Sequence, residues 1–356
     1  MAAFISGLAA SAALQGFEKV TLGPLDLDPS LNLRLGAQYG TGINFGFGAI
    51  DTPGEDRRAS SSVSVKPRLG LVWAESPAGE LYAGVSVVGA GTMLDGEMGG
   101  QFARSGDTAV NTDEAHVGWR NDILDLSVGA QEYWIGDGFI IGDGNFDTGA
   151  RDGQFWNFPF AAWRNSAIAR LETREIRAEA FWLRSDRDFG DSRIAGLNVE
   201  NVPGDYSGIV GVSYFEIFDA KALNHDGLQV WNLRLHDIAV PRVPQLEFWS
   251  ELVWQGGTDD LAGGRRNDAL GWYLEGAWTF DALPWTPVLS YRYIRLSGDD
   301  PHTPTTKSIA VSSTPSTSAN GTPGIKVRLL ANTISSTRIR SHRWPSYGRF
   351  RARTGP

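Results

Sequence analysis

The sequence predicts an all-β, antiparallel protein, and three observations support this prediction. Apolar and polar residues alternate with a period of two through most of residues 31–295, which is the side-chain period of a half-buried strand. Turn sequences such as Thr52-Pro53-Gly54 and Pro203-Gly204-Asp205 separate the alternating segments. No amphipathic helical pattern of ordinary length competes with this alternation.

The alternating segments follow one another in order along the chain. In the first, Leu31, Leu33 and Leu35 share one face, while Asn32 and Arg34 share the other. The pattern recurs at 62–73, 81–87, 114–120, 124–130, 176–182, 209–215, 231–236, 245–254, 272–279 and 288–295. Each segment therefore has one apolar face and one polar face.

Which face meets water decides between a soluble β-sandwich or solenoid and a transmembrane barrel. Three features favour the barrel. Charged residues are frequent on the polar faces, and glycines within the segments suit a strongly curved sheet. Aromatic residues at segment ends are typical of interfacial girdles: Tyr39, Trp73, Trp119, Trp182, Trp254 and Phe280. We therefore predict an antiparallel transmembrane β-barrel and keep the soluble fold as the alternative.

The composition excludes several classes of protein. The chain has no cysteine, which excludes disulfide frameworks, thiol catalysis and cysteine-ligated zinc. No apolar run is long enough for a membrane-spanning helix. The apolar stretch from Ala2 to Leu14 fits the central region of a signal peptide but lacks the preceding basic residues. We interpret residues 1–20 as a signal-peptide remnant or an N-terminal extension, and residues 21–303 as the barrel domain.

One stretch of the sequence resembles a known family. Val128-Gly129-Ala130-Gln131-Glu132-Tyr133-Trp134-Ile135-Gly136-Asp137-Gly138, followed by Ile141-Gly142, is similar to the signature of alginate-export-type outer-membrane proteins. Segments 169–182 and 271–301 resemble later strands of that family. The resemblance implies a barrel of about eighteen strands in the outer membrane of a Gram-negative bacterium. Ala130 departs from the family pattern, because an arginine is usual there.

The resemblance also implies a function and a pore lining. Family members pass anionic polysaccharide or oligosaccharide through an arginine-lined lumen, so we expect an anionic saccharide and outer-membrane lipid as partners, and no cofactor. The polar-face candidates are Arg34, Arg68, Arg120, Arg170, Arg174, Arg234 and Arg292. The alternative is that each arginine pairs with an acid, such as Glu114, Glu172, Glu247 or Glu275, and only holds the barrel shape. A general or carbohydrate porin is the second interpretation within this fold.

Evidence for an enzyme or a metal site is weak in the sequence. Residues 143–147 begin like a calcium loop, but Thr148 stands where the turn glycine belongs and Gln154 where the bidentate glutamate belongs. The five histidines show no metal-ligand spacing, and no nucleophile or phosphate-loop motif occurs. Glu247 and Glu251 share a strand face, which leaves a soluble polysaccharide hydrolase or lyase as the rival class. We predict no catalytic and no metal-binding residues.

The C-terminal residues differ in charge from the rest of the chain. All 41 acidic residues precede Pro304, whereas residues 304–356 contain only basic charges. The alternation stops after Tyr293, and family members end in aromatic strands. If the codons of Gly321–Thr333 are read in a shifted frame, they are compatible with an amino-acid sequence that alternates and resembles the next strand of the family. We therefore predict that residues 304–356 are a frame-shifted basic tail outside the fold, rather than an arm that binds nucleic acid.

Overall fold

A computed structural model describes residues 4–14, 17–76, 78–100, 104–142, 144, 160–185, 191–203, 208–220, 226–259, 265–283, 286–297, 305–306 and 324–328. The strands are β1 (Phe4–Leu14), β2 (Val20–Leu22), β3 (Leu25–Thr41), β4 (Arg57–Ser76), β5 (Gly79–Leu94), β6 (Thr108–Arg120), β7 (Leu124–Glu132), β8 (Ala162–Glu172), β9 (Ile176–Arg184), β10 (Arg193–Asn201), β11 (Ile209–Asp219), β12 (Leu228–Val240), β13 (Val243–Asp259), β14 (Arg265–Thr279), β15 (Val288–Leu296), β16 (Thr305–Thr306) and β17 (Gly324–Arg328). A short 3₁₀ turn spans Ile43–Gly46.

All of these strands belong to one sheet. From β3 to β15, each strand pairs antiparallel with the next strand along the chain. β1 and β2 pair with the other edge of β3, and β17 pairs with β15. Only the two-residue β16 pairs in parallel, with β14. The predicted all-β, antiparallel fold is thus confirmed.

The two faces of the sheet have reversed polarity compared with a soluble protein. In β12, Trp231, Leu233 and Leu235 are 48%, 43% and 40% exposed on the outer face. Arg234, between them on the inner face, is 1% exposed. β4 repeats the arrangement, with Trp73 outside and Lys66 buried inside. A soluble sandwich buries its apolar faces between two sheets, so this single sheet does not match that alternative.

The connections at the two ends of the strands differ in length. At one end the sheet has the connections 42–56, 95–107 and 133–161. At the other end the turns 77–78, 121–123, 173–175 and 241–242 are tight, and the connections 202–208 and 280–287 are of intermediate length. Outer-membrane barrels show the same asymmetry, with short turns on the periplasmic side and longer loops outside.

The chain leaving β7 folds back inside the curled sheet. We call residues 133–142 the inner loop. Its turn is closed by hydrogen bonds from Ile135 N to Ile141 O (3.0 Å) and from Gly138 N to Ile135 O (3.1 Å). Gly136 and Gly138 have positive φ angles, which a glycine adopts without strain. Apolar loop residues pack on the inner face of the sheet in one buried cluster, which includes Tyr133, Ile135, Ile140, Ile141, Phe181, Leu183, Ile194, Phe215, Ile217, Leu228 and Val230.

The predicted terminal segments both contribute strands. β1 lies within residues 1–20 and pairs along β3, while β16 and β17 lie within residues 304–356. Among the described residues, β1 and β17 are not paired with each other. The frame shift itself stays a prediction. No helix in the described part of the chain is long and apolar enough to cross a membrane.

Candidate functional site

Inward-facing polar side chains form a row across eight neighbouring strands. Hydrogen bonds connect the row from Arg170 to Tyr273, and the Arg292 guanidinium over the Tyr273 ring continues it to β15. We call this row the inner belt. Its members, in strand order from β8 to β15, are Arg170, Glu179, Asn198, Ser213, Asn232, Arg234, His236, Glu251, Tyr273, Glu275 and Arg292. Along the strands, the belt lies next to the apolar cluster that includes the inner-loop residues, on the side nearer the tight turns.

Strand register explains why these side chains meet. Residues directly opposite each other on antiparallel strands point to the same face and lie within contact distance. The register places Glu179 opposite both Arg170 and Asn198. It also places Glu251 opposite Arg234 and Tyr273. The alternation of each strand therefore assembles the belt without any special loop.

Arg234 is one of the two most buried charged residues of the belt, together with Glu251. Its guanidinium donates to Ser213 Oγ (2.6 Å), Asn232 Oδ1 (2.8 Å) and Asn198 Oδ1 (2.6 Å). It also forms an ion pair with Glu200 at 3.1 Å. A buried guanidinium needs such partners, because its five N–H donors lose their water on folding.

Four residues of the inner loop, Tyr133, Gly136, Asp137 and Phe139, lie against the belt. Tyr133 donates its hydroxyl to Glu179 Oε2 (3.0 Å), and Arg292 Nη2 donates to Asp137 Oδ2 (2.6 Å). The Phe139 ring packs edge-on against Tyr273 at 5.2 Å. At Gly136, a Cβ atom would lie 2.6 Å from Glu251 Oε1 and 2.7 Å from Arg234 Cδ. A side chain there would collide with the belt, so the close approach requires glycine.

Asp137 is the charged end of this loop contact. Burial of the Asp137 carboxyl opposes its ionisation, but the Arg292 guanidinium outweighs that effect and lowers the pKa of Asp137 below its usual value. Arg292 also pairs with Glu275 and lies over the Tyr273 ring at 4.2 Å. The loop is therefore attached to β15 by an ionised pair at neutral pH.

A second charged cluster lies on the inner face of β4, β6 and β7. Lys66 Nζ lies 2.5 Å from Asp113, 2.6 Å from Glu132 and 3.6 Å from Glu114. Asp113 Oδ1 also accepts hydrogen bonds from the backbone N–H groups of Ala161 and Ala162 at 3.1 Å. The cluster ties the start of β8 to the sheet wall.

The arginine candidates can now be placed. Arg34, Arg68, Arg120, Arg170, Arg234 and Arg292 all lie on inward-facing strand positions, as the alternation predicts. Arg174 does not: it is exposed in the β8–β9 turn, because Thr173 Oγ1 accepts the Glu175 and Ile176 N–H groups and closes that turn.

Most of the inward arginines are paired with acids. Arg68 pairs with Glu114 at 3.2 Å and Arg170 with Glu179 at 2.5 Å. Arg120 pairs with Glu80. Arg34 donates to Asn32 Oδ1 at 3.2 Å. The pairing alternative therefore describes these side chains well, although the side chains of Arg68 and Arg170 stay 25% and 32% exposed toward the interior.

Sequence reasoning missed several residues of this site. Lys66, His236 and Glu251 were visible on polar strand faces, but alternation alone does not show which residues of different strands meet. Tyr133 and Asp137 lie within the segment that resembles the alginate-export signature. Of the calcium-like stretch, Asp143 and residues 145–159 lie outside the described residues.

No protein-family model matches the chain, and no curated protein matches its sequence. Among solved structures, it is similar to OprB of Pseudomonas putida at low pH, with 11% identity, a TM-score of 0.39, and coverage of 76% of this chain and 77% of that one. OccK7 (OpdD) of Pseudomonas aeruginosa shows 13% identity and a TM-score of 0.41 over 83% and 89% of the two chains. OpdQ of Pseudomonas aeruginosa shows 12% identity and a TM-score of 0.37 over 82% and 88%. Likeness this distant does not carry a solute over to this chain.

Proposed function

We propose that this protein is a channel of the outer membrane of a Gram-negative bacterium, and not an enzyme. The observation that carries the proposal is the reversed polarity of the sheet, with apolar side chains outside and hydrogen-bonded charges inside. An apolar outer face is stable only against lipid or another apolar surface. The unequal lengths of the connections at the two strand ends support the same proposal.

The inner belt and the inner loop together define the narrow part of the channel. The loop occupies interior space over β12 to β15, where Asp137, Phe139 and Gly136 contact the belt. The walls that remain for a solute present charges and hydroxyl groups. Such walls suit small hydrophilic solutes, which exchange hydrogen bonds with water for hydrogen bonds with the wall.

We further propose that the solutes include anionic saccharides, as the sequence resemblance implies. The partly exposed guanidinium groups of Arg68 and Arg170 support this narrower function. Arg68 pairs with Glu114, and Arg170 pairs with Glu179 and, at 3.9 Å, with Asp125. Because a guanidinium has five N–H donors, its exposed edge can bind a solute carboxylate in addition to these partners. Because most inward arginines are paired with acids, we expect only a modest preference for anions.

Extraction and conductance test the general proposal. The protein should require detergent for extraction from outer membranes of its own bacterium and should then form conducting pores in planar bilayers. A soluble, monodisperse protein without detergent would refute the membrane location. Solute entry into protein-containing liposomes, compared for neutral and uronate oligosaccharides of equal size, tests the narrower proposal.

A further inference from the structure

Three potential ligand groups from separate elements meet where the inner loop touches the belt. Asp137 comes from the inner loop, His236 from β12 and Glu251 from β13, and one ligand atom of each lies within 4.8 Å of the others. His236 Nε2 is 3.0 Å from Glu251 Oε1, and the Tyr273 hydroxyl is 3.1 Å from the same nitrogen. One imidazole and two carboxylates are a common ligand set for divalent transition metals.

The charge around Glu251 is the second observation. Its carboxylate is 1% exposed and accepts hydrogen bonds from Asn232 Nδ2 (2.8 Å), His236 Nε2 (3.0 Å) and the Tyr273 hydroxyl (3.4 Å). None of these groups carries a permanent positive charge. In the described part of the chain, no lysine or arginine lies within ion-pair distance of Glu251. A buried carboxylate is costly without a compensating cation.

The Lys66 cluster shows what a compensated site looks like in the same protein. There, Asp113, Glu114 and Glu132 bring three carboxylates together, and Lys66 Nζ lies among them at 2.5 to 3.6 Å. The Lys66 ammonium and the Arg68 guanidinium, which pairs with Glu114 at 3.2 Å, supply positive charge to these carboxylates. In the Glu251 cluster, Arg292 pairs with Asp137 at 2.6 Å, but no lysine or arginine of the described residues pairs with Glu251 itself.

We propose that His236 Nε2, Glu251 and Asp137 bind a divalent transition-metal ion of the zinc class. In a tetrahedral zinc site with bonds of about 2.1 Å, neighbouring ligand atoms lie about 3.4 Å apart, close to the 3.0 Å between His236 and Glu251. Because Asp137 belongs to the inner loop, the ion ties that loop to β12 and β13. The site adds a metal-dependent contact to the Arg292–Asp137 pair, and it does not depend on what the channel conducts.

Zinc binding to the full-length protein in detergent tests the site directly. We measure Zn²⁺ affinity by competition with a chromophoric chelator for the wild type, His236→Gln, Glu251→Gln and Asp137→Asn. Wild type should bind one ion per chain, and each variant should bind it at least about tenfold more weakly. The matched control is His116→Gln, which removes another inward-facing histidine, on β6, and should leave the affinity unchanged.

Hydrogen exchange then tests the attachment of the loop. Zn²⁺ should slow amide exchange across residues 133–142 in the wild type and in His116→Gln, but not in His236→Gln. Heat-dependent gel mobility shows whether each variant is folded, and Asp137→Asn, which lies in a loop, keeps the test decisive if a strand variant fails to fold. Equal Zn²⁺ affinity in wild type and His236→Gln, or no stoichiometric binding by the folded wild type, would overturn the proposal. If the folded wild type binds no zinc, a proton rather than a metal ion compensates the buried charge of Glu251.

Discussion

Arg292 Nη2 donates a 2.6 Å hydrogen bond to Asp137 Oδ2, although the two residues are 155 positions apart in the chain. Arg292 lies on β15, near the last strands of the described sheet, while Asp137 lies in the loop that follows β7. The pair therefore spans the interior of the curled sheet. It makes the inner loop part of the wall rather than a free external loop.

Acidification should weaken this contact. The pKa of Asp137 is lowered in the folded protein, so the pair contributes stability above the ordinary pKa of an aspartate, about 3.9, and loses it as the pH falls through the lowered value. Asp137→Asn should cost about 1 kcal/mol at pH 7, and the difference from wild type should shrink as the pH falls below about 3.9 and disappear once Asp137 is protonated in the folded protein. Thermal unfolding in detergent from pH 3 to 7 measures this difference.

The control for this prediction is Glu175→Gln, which changes an exposed carboxyl in the β8–β9 turn. It should follow the wild-type curve at every pH. A difference between Asp137→Asn and wild type that stays constant down to pH 3 would contradict the role of the ionised pair.

Removing Arg234 should destabilise the sheet strongly. Arg234→Leu leaves Glu200, Asn198 and Ser213 without their shared donor in a buried place. We expect a loss of about 3 kcal/mol or more in the free energy of unfolding, measured by denaturant titration in detergent. Arg174→Gln, in the exposed turn, should change it by less than about 0.5 kcal/mol. Equal stability of both variants would show that the belt contributes nothing.

Ion selectivity should depend on the partly exposed inward-facing arginines Arg68 and Arg170. In protein extracted from outer membranes, planar-bilayer reversal potentials should show a modest preference for anions. The double variant Arg68→Gln with Arg170→Gln leaves Glu114 and Glu179 without these cations, so selectivity should move toward cations. Arg174→Gln serves as the control and should keep the wild-type value. Clear cation preference in the wild type would refute the anionic-saccharide proposal.

The absence of acidic residues from 304–356 predicts a frame shift in the gene. Resequencing around codons 300–308 should reveal an inserted or deleted base, after which the reading frame restores acidic residues and alternation. β17, at Gly324–Arg328, already lies beside β15, where the next strand of the sheet belongs. An intact frame in that region would show that residues 304–356 are native and that their basic charge requires a function of its own.

The fold class could be predicted from the amino-acid sequence because alternation is a local property. Each strand's period of two assigns its side chains to two faces without knowledge of its neighbours. The alternation thus placed Trp231 and Arg234 on opposite faces of β12, as the structure has them. Six of the seven arginine candidates lie on inward-facing positions. Arg174 was misplaced because the turn formed by Thr173 interrupts the alternation, and the pattern does not show where a strand stops.

Only the tertiary structure decided which face meets solvent and which inward residues meet one another. Alternation is the same for a sandwich and a barrel, so the exposure of Trp231 and the burial of Arg234 had to be observed. Strand register brings Glu251 to His236, and the return of the inner loop adds Asp137 from about a hundred residues earlier. No spacing along the chain encodes this meeting, because it depends on the curvature of the whole sheet.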